Sequence, residues 1–418
     1  MTQTSRPATA SELGLTQSAL AADGRQVTLS NWQRAPWNRW AFQHVRQLVP
    51  SARISRGELP VWELPVEPTN LDGLGFETSS GGASTVAGLL ERGHADGFLV
   101  LHRGRIVAEQ YFNGMTRDTP HLLQSVSKSF TGSLAGALHG AGLLAPGRLL
   151  TDCVAELADT SFEGATVRHL LDMSAGTRFS EDYDDPQADV NQYEAVVGWR
   201  PDPDGNGNGD LLGYILGLQN ARSHGESFEY RSILTDLLGI VVERLAGGPF
   251  ADVFGQWVWA RLGAACDAEI TVDRNGNSLT DGGISVTLRD LGRFGQMILQ
   301  SGCADGRQIV PAAWINDTRY ADEAWRQTFL ASEESQRLCE VSAPDCFPRG
   351  HYRNQWWVID PELGVLLASG IFGQSLYINM FASVVVAVLS SHTQAFDAEL
   401  SGDVLRACAA MSGALSIL

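Results

Sequence analysis

Ser125 and Lys128, in LLQSVSKSF (Leu122 to Phe130), are the residues of this chain best suited to covalent chemistry. Lys128 is the only lysine among 418 residues, and every other basic residue is an arginine. A serine hydroxyl is a weak nucleophile until a base takes its proton. A lysine amine can be that base once burial draws its pKa from about 10.4 toward neutrality, whereas arginine stays protonated. A chain that uses arginine for all its other positive charges needs lysine only where a nitrogen must give up a proton. At a helix start, residues i and i+3 share one face, roughly 5–6 Å apart. A stray surface lysine is the competing reading, but Val126, Phe130, Leu134 and Leu138 make this helix apolar, and SxxK at such a start is a known nucleophile–base pattern.

Two further segments suit the same chemistry. FEYRS (Phe228 to Ser232) puts Tyr230 at a loop-to-helix junction, where a phenol can pass a proton between a lysine, a serine and a leaving group. ASGIFGQS (Ala368 to Ser375) is a glycine-rich strand end, equally readable as a bulge or as an edge whose N–H groups reach a substrate. An oxyanion hole is built that way, with one N–H from the nucleophile and one from an adjacent strand. Competing constellations fail: the nine histidines form no HExxH pair, and GxSxG and Walker A sequences are absent. The six cysteines have no zinc or CxxC spacing, so no metal or cofactor is expected. Cys339 and Cys346 could pair across a loop, but free thiols are the expectation.

These residues need a frame. Residues 1–30 lack sustained periodicity and read as a flexible arm. NWQRAPWNRWAF follows, dense in aromatic residues that serve equally to cover a sheet or to mediate a homodimer. Gly97 to Phe112 reads as two strands joined at Arg103-Gly104. Helices are expected at about 125–139, at 232–246 before Gly-Gly-Pro, and at 287–299, where Thr287 and Asp290 stand in roughly capping-box positions. The polar stretch Thr177 to Asp210 reads as a long loop of functional kind. NQWWVI, GVLLASGI, SLYINMF and SVVVAVLSS are closely spaced strand candidates, with a last helix from about 395 to 411. Strands at both chain ends with helices between imply an α+β fold. Its antiparallel sheet comes from about 31–122 and 285–418, and a helical subdomain of about 123–284 is inserted within one catalytic domain, 31–418.

The formal net charge of −18 disfavours nucleic acid and anionic lipid as partners. No basic segment followed by an apolar run opens the chain, and the most apolar run, Phe381 to Leu389, is too short to span a bilayer. A cytoplasmic location is expected.

Together, SVSK, the Tyr230 segment and the glycine strand resemble the serine β-lactamase-like superfamily of penicillin-binding proteins, class C β-lactamases and related esterases. Within it the chain is most similar to the 6-aminohexanoate-dimer hydrolase family, the nylon-oligomer amidases. NRWAF, HLLQSVSKS, SEDYDDP, FEYRS, DGGIS, RDLGRFG, QWW and GIFGQ carry that likeness in order from about Asn31 onward. The resemblance implies a β-lactamase-like fold with Ser125 as nucleophile, Lys128 as base and Tyr230 as proton relay. It implies an oxyanion hole from the Ser125 and Ile371 N–H groups, and Tyr183 closing over a substrate amide. Ala368-Ser369-Gly370 stands where penicillin-recognising members carry a Lys-Thr-Gly-type triad, so the strand offers little to a β-lactam carboxylate. Phe372 stands where a histidine is expected, which reshapes the substrate pocket.

The implied activity is acylation of Ser125 by a small linear amide or ester, followed by hydrolysis. A carboxylesterase without useful amidase activity and a catalytically silent binding protein are the alternatives. The acidic segment Ser180 to Glu194 is either a solvated loop or a source of one carboxylate, Glu194, that binds the free amine of a linear amino-acyl substrate.

Overall fold

The alternating apolar strands build a seven-stranded antiparallel sheet. Across it, in order, lie His351–Arg353, Trp356–Asp360, Val365–Gly370, Gln374–Asn379, Val384–Ser390, Ala95–His102 and Arg105–Tyr111. The N-terminal hairpin thus joins the C-terminal meander, with Val100 opposite Val386. The turn at Arg103-Gly104 has positive φ at both residues, as a two-residue hairpin requires. The structure, a computed structural model, describes residues 6–183, 185–202, 210–341 and 349–417. Cys346 and residues 203–209 of the long polar stretch lie outside them.

Strand periodicity divides the core into two layers. Phe98, Val100, Val384, Val386 and Val388 pack under Leu405, Cys408 and Met411 of the Ala398–Ser416 helix. Their neighbours Leu99, Leu101, Val385, Ala387 and Leu389 face the other layer, with Leu291, Phe294 and Met297 of the Leu288–Leu299 helix. Phe130 stacks on Phe294 with centroids 3.8 Å apart, which brings in the Val126–Gly140 helix. Every residue of that helix from Val126 to Leu138 is buried, Lys128 included.

Two expectations are corrected. Residues 123–284 are not wholly helical: Ala268–Thr271 is a strand of a second antiparallel sheet, between Ser51–Ile54 and Ile284–Thr287, with Pro120–Leu122 at its edge. Strands of three or four residues carry too few alternations to be read from sequence. Residues 6–30 are packed rather than loose. Val27 is fully buried, the Ala10 N–H donates to Asn113 Oδ1 at 2.7 Å, and Trp37 Nε1 donates to Gly24 O at 2.9 Å. Isolated contacts of this kind leave no periodic trace. Among the described residues no helix is long and apolar enough to cross a membrane.

Candidate active site

Ser125 is presented by a tight turn. The Pro120–Leu122 strand ends, Gln124 takes a left-handed conformation (φ 48°), and Ser125 becomes the N-cap of the Val126–Gly140 helix. One turn on, Lys128 Nζ donates to Ser125 Oγ at 2.8 Å and to Asp281 O at 3.0 Å. The Tyr230 ring centroid lies 5.1 Å from the same nitrogen, close enough that Lys128 and Ser125 both pull the phenol pKa down. The structure therefore gathers the three residues singled out in the sequence.

Tyr230 is held from several sides. Its ring stacks on Trp357 (5.4 Å) and meets Tyr352 edge-on (5.9 Å). Its N–H donates to Glu334 Oε2 at 2.6 Å. Ser232, which opens the next helix, donates its N–H (2.7 Å) and hydroxyl (2.5 Å) to Glu181.

The electrostatics reverse one expectation. Burial pulls the Lys128 pKa down, but Tyr230, Asp281, Glu181 and Asp236 together outweigh it, and the net direction is up. Burial also raises Tyr230, against the opposing pull of Lys128. Of the groups that raise the Lys128 pKa, Tyr230 acts most strongly, followed by Asp281, Glu181 and Asp236. Among these, Asp236 and Asp281 are linked by a hydrogen bond and both are pushed up by burial, Asp236 the further. Tyr193 donates to Asp236 Oδ2, and the Asp281 N–H donates to Asp236 Oδ1 at 3.0 Å. Lys128 thus lies between Ser125 and an acidic pair, with its charged form favoured.

Opposite stands the glycine strand. Gly370 ends the Val365–Gly370 strand so close to Ser125 that a Cβ there would come within 3.0 Å of Ser125 N and 2.7 Å of Leu123 O. Only glycine lets the two backbones approach and brings Ile371 onto the cavity wall beside Ser125. The turn is pinned by Gln374, whose amide donates to Ser390 O (2.7 Å) and accepts from the Ser390 N–H (3.1 Å). Phe372 has φ 61° and is buried; its ring packs against Phe42 (5.3 Å) and is only 7% exposed. It contributes chiefly to the support of this wall.

Ser125, Tyr230, Ile371, Tyr183, Glu194 and Phe372 all line one cavity of about 1030 Å³. The Tyr183 hydroxyl donates to Glu181 Oε1 at 3.0 Å. Glu194 is buried, ion-paired with Arg200, and accepts from Gln33 Nε2 at 3.2 Å. Its charge is therefore matched within the protein, which argues against its holding a substrate ammonium. Sequence reasoning gave no role to Glu181, Asp236, Asp281 or Glu334. Asp236 had a signal, being an acid inside the apolar run SILTDLLGIVV, where it is fully buried.

Residues 83–410 match the β-lactamase family. This chain belongs to that family. It is 35% identical over 367 residues to 6-aminohexanoate-dimer hydrolase of Paenarthrobacter ureafaciens, covering 88% of each chain. In fold it is similar to a Bacillus anthracis protein described as a 6-aminohexanoate-dimer hydrolase, with TM-score 0.84, 24% identity and coverage of 95% of this chain and 99% of that one. It is also similar to EstCE1, a hydrolase with promiscuous acyltransferase activity, with TM-score 0.58, 18% identity and coverage of 78% and 95%. The chain is thus a hydrolase of the β-lactamase-like kind, with the α+β fold expected from its sequence.

Proposed function

We propose that this protein hydrolyses small linear amides of the 6-aminohexanoate-dimer type, and short esters, through an acyl-enzyme on Ser125. The observation that carries this reading is the 2.8 Å contact of Lys128 Nζ with the Ser125 hydroxyl, with the Tyr230 ring centroid 5.1 Å from that nitrogen and Ser125 and Tyr230 lining one cavity.

The resting ammonium cannot take the Ser125 proton while it donates to that oxygen. The acylating form is the one in which the Lys128–Tyr230 pair is short of one proton, and such a pair titrates as a unit. As Ser125 Oγ bonds to the substrate carbonyl carbon, its proton enters the pair and the carbonyl oxygen gains negative charge. The Ser125 and Ile371 N–H groups receive that oxygen, a type of contact whose single donors are worth about 10²–10³ in kcat. Tyr230 then delivers the proton to the leaving nitrogen, the C–N bond breaks, and an amine departs. Water repeats the sequence on the ester, with the pair as base, and frees Ser125. An amine leaves only when protonated, so Tyr230 matters more for amides than for esters. In this reading Tyr183, whose hydroxyl donates to Glu181, closes over the scissile group.

A carboxylesterase without amidase activity is the second reading. The deciding experiment is a panel of p-nitrophenyl acetate, 6-aminohexanoate dimer and a β-lactam on purified protein. Turnover of dimer and ester with neglect of the β-lactam is expected. Turnover of the ester alone would establish the esterase, and turnover of none would remove both readings.

A further inference from the structure

Tyr230 stands at a loop-to-helix junction, where the main chain has few constraints of its own. Side chains supply them: Trp357 and Tyr352 on the ring, and Glu181 on the turn that follows. A further tether comes from an element that had no part in the sequence argument. Glu334 lies in the first turn of the Glu333–Val341 helix, lines the cavity that holds Ser125, and accepts the Tyr230 N–H at 2.6 Å.

We propose that Glu334 is a positioning residue for proton transfer. Its carboxylate, bonded to the Tyr230 main chain, sets where the phenol stands relative to Ser125 and Lys128. A backbone anchor two residues before the helix start acts on the whole ring, and a misplacement of about 1 Å at a reacting group can cost on the order of 10²-fold in rate.

The anchor is also responsive. Burial pushes the Glu334 carboxyl up to about 7; the Tyr230 N–H opposes this, Glu181 adds to it, and Arg337, one turn along the same helix, opposes it. Tyr352 is the other titratable group that senses the Glu334 charge. The group is a neutral acid below about 7 and a carboxylate above it. The Tyr230 N–H therefore gains a charged acceptor as pH rises through that value, and a charge-assisted bond is roughly twice as strong as a neutral one. Placement of Tyr230 improves in the same direction.

The inference rests on Tyr230 carrying the proton, so the test separates the two. Glu334→Ala, Glu334→Gln and Tyr230→Phe are compared with wild type for kcat, KM and pH dependence on 6-aminohexanoate dimer and p-nitrophenyl acetate, with thermal melts to confirm folding. Glu334→Ala should lower kcat about 10- to 100-fold with KM within about twofold. Glu334→Gln keeps a carbonyl acceptor, so it should recover most of that loss yet lack the step in kcat/KM near pH 7. An unchanged kcat in Glu334→Ala, a loss confined to KM, or a step that survives in Glu334→Gln would each overturn the inference. Full activity in Tyr230→Phe would remove the relay and the inference with it. Collapse of Tyr230→Phe beside an indifferent Glu334→Ala would remove the inference alone.

Discussion

The two walls of the cavity are built from opposite materials. Behind Lys128 lies a buried acidic assembly of Asp236, Asp281 and Glu181, each raised by burial and each held by donors. Behind Ile371 lies an apolar one: Phe372 packs on Phe42, Phe42 meets Trp32 edge-on, and Trp32 meets Trp199 in the same way. The first wall fixes charge and the second fixes shape. A proton-transfer group needs neighbours that titrate or hold a field, whereas an oxyanion donor needs only a main chain that cannot move. On the proposed mechanism, the same cavity has one side whose chemistry depends on pH and one side whose chemistry does not.

The largest effect expected from the charged wall is that of Lys128→Arg. Arginine keeps the charge but cannot exchange its proton. The variant should lose about 10²–10⁴ in kcat, near the loss of Lys128→Ala. Recovery of more than a tenth of wild-type activity would show that Lys128 acts as a fixed charge and that Tyr230 alone is the base.

Tests of each wall in turn separate charge from shape. Phe42→Ala removes the buried support of Phe372 and should destabilise the fold by about 3–5 kcal/mol in denaturant unfolding. It should also lower kcat about tenfold through a loosened donor, leaving the shape of the pH profile unaltered. Asp281→Asn removes a negative neighbour that raises the Lys128 pKa. Its sign is definite: the Lys128–Tyr230 pair loses its proton at lower pH, so the alkaline rise of kcat/KM moves toward acid. A Phe42→Ala enzyme with a displaced pH profile, or an Asp281→Asn enzyme without one, would break the division between the walls.

The smallest effect is assigned to Glu194→Gln. With Arg200 already paired to it, the carboxylate offers little to a substrate amine. KM for an amine-bearing dimer and for a neutral ester should change alike, by less than about threefold. A selective rise for the dimer would restore Glu194 as the ammonium site.

What the sequence revealed follows the same division. Lys128 was legible because it is the sole lysine, Ser125 because it stands one helical turn before it, and Tyr230 because it sits at a loop-to-helix junction. The hairpin at Arg103-Gly104 and the Ser232–Ala246 helix were legible because turn residues and periodicity mark them locally. Glu334 was not, since its role arises from a contact 104 residues away. Nor was the rise in the Lys128 pKa, because Asp281 comes from 153 residues further along the chain. Burial of a lysine can be read from an apolar helix, but the acids that surround it are assembled only by the fold. Phe372 was found by its place in the glycine strand, while the direction of its ring, into Phe42, depends on a segment from the far end of the chain.

The covalent step on Ser125 is tested most directly by trapping. Wild-type protein and Ser125→Ala are treated with a serine-directed phosphonate, and the adduct is located by peptide mass spectrometry. One adduct per chain on the peptide that contains Ser125, loss of hydrolysis in proportion to labelling, and no adduct in Ser125→Ala are expected. An adduct on another residue, or full hydrolysis of ester or dimer by a completely labelled enzyme, would contradict Ser125 as the nucleophile.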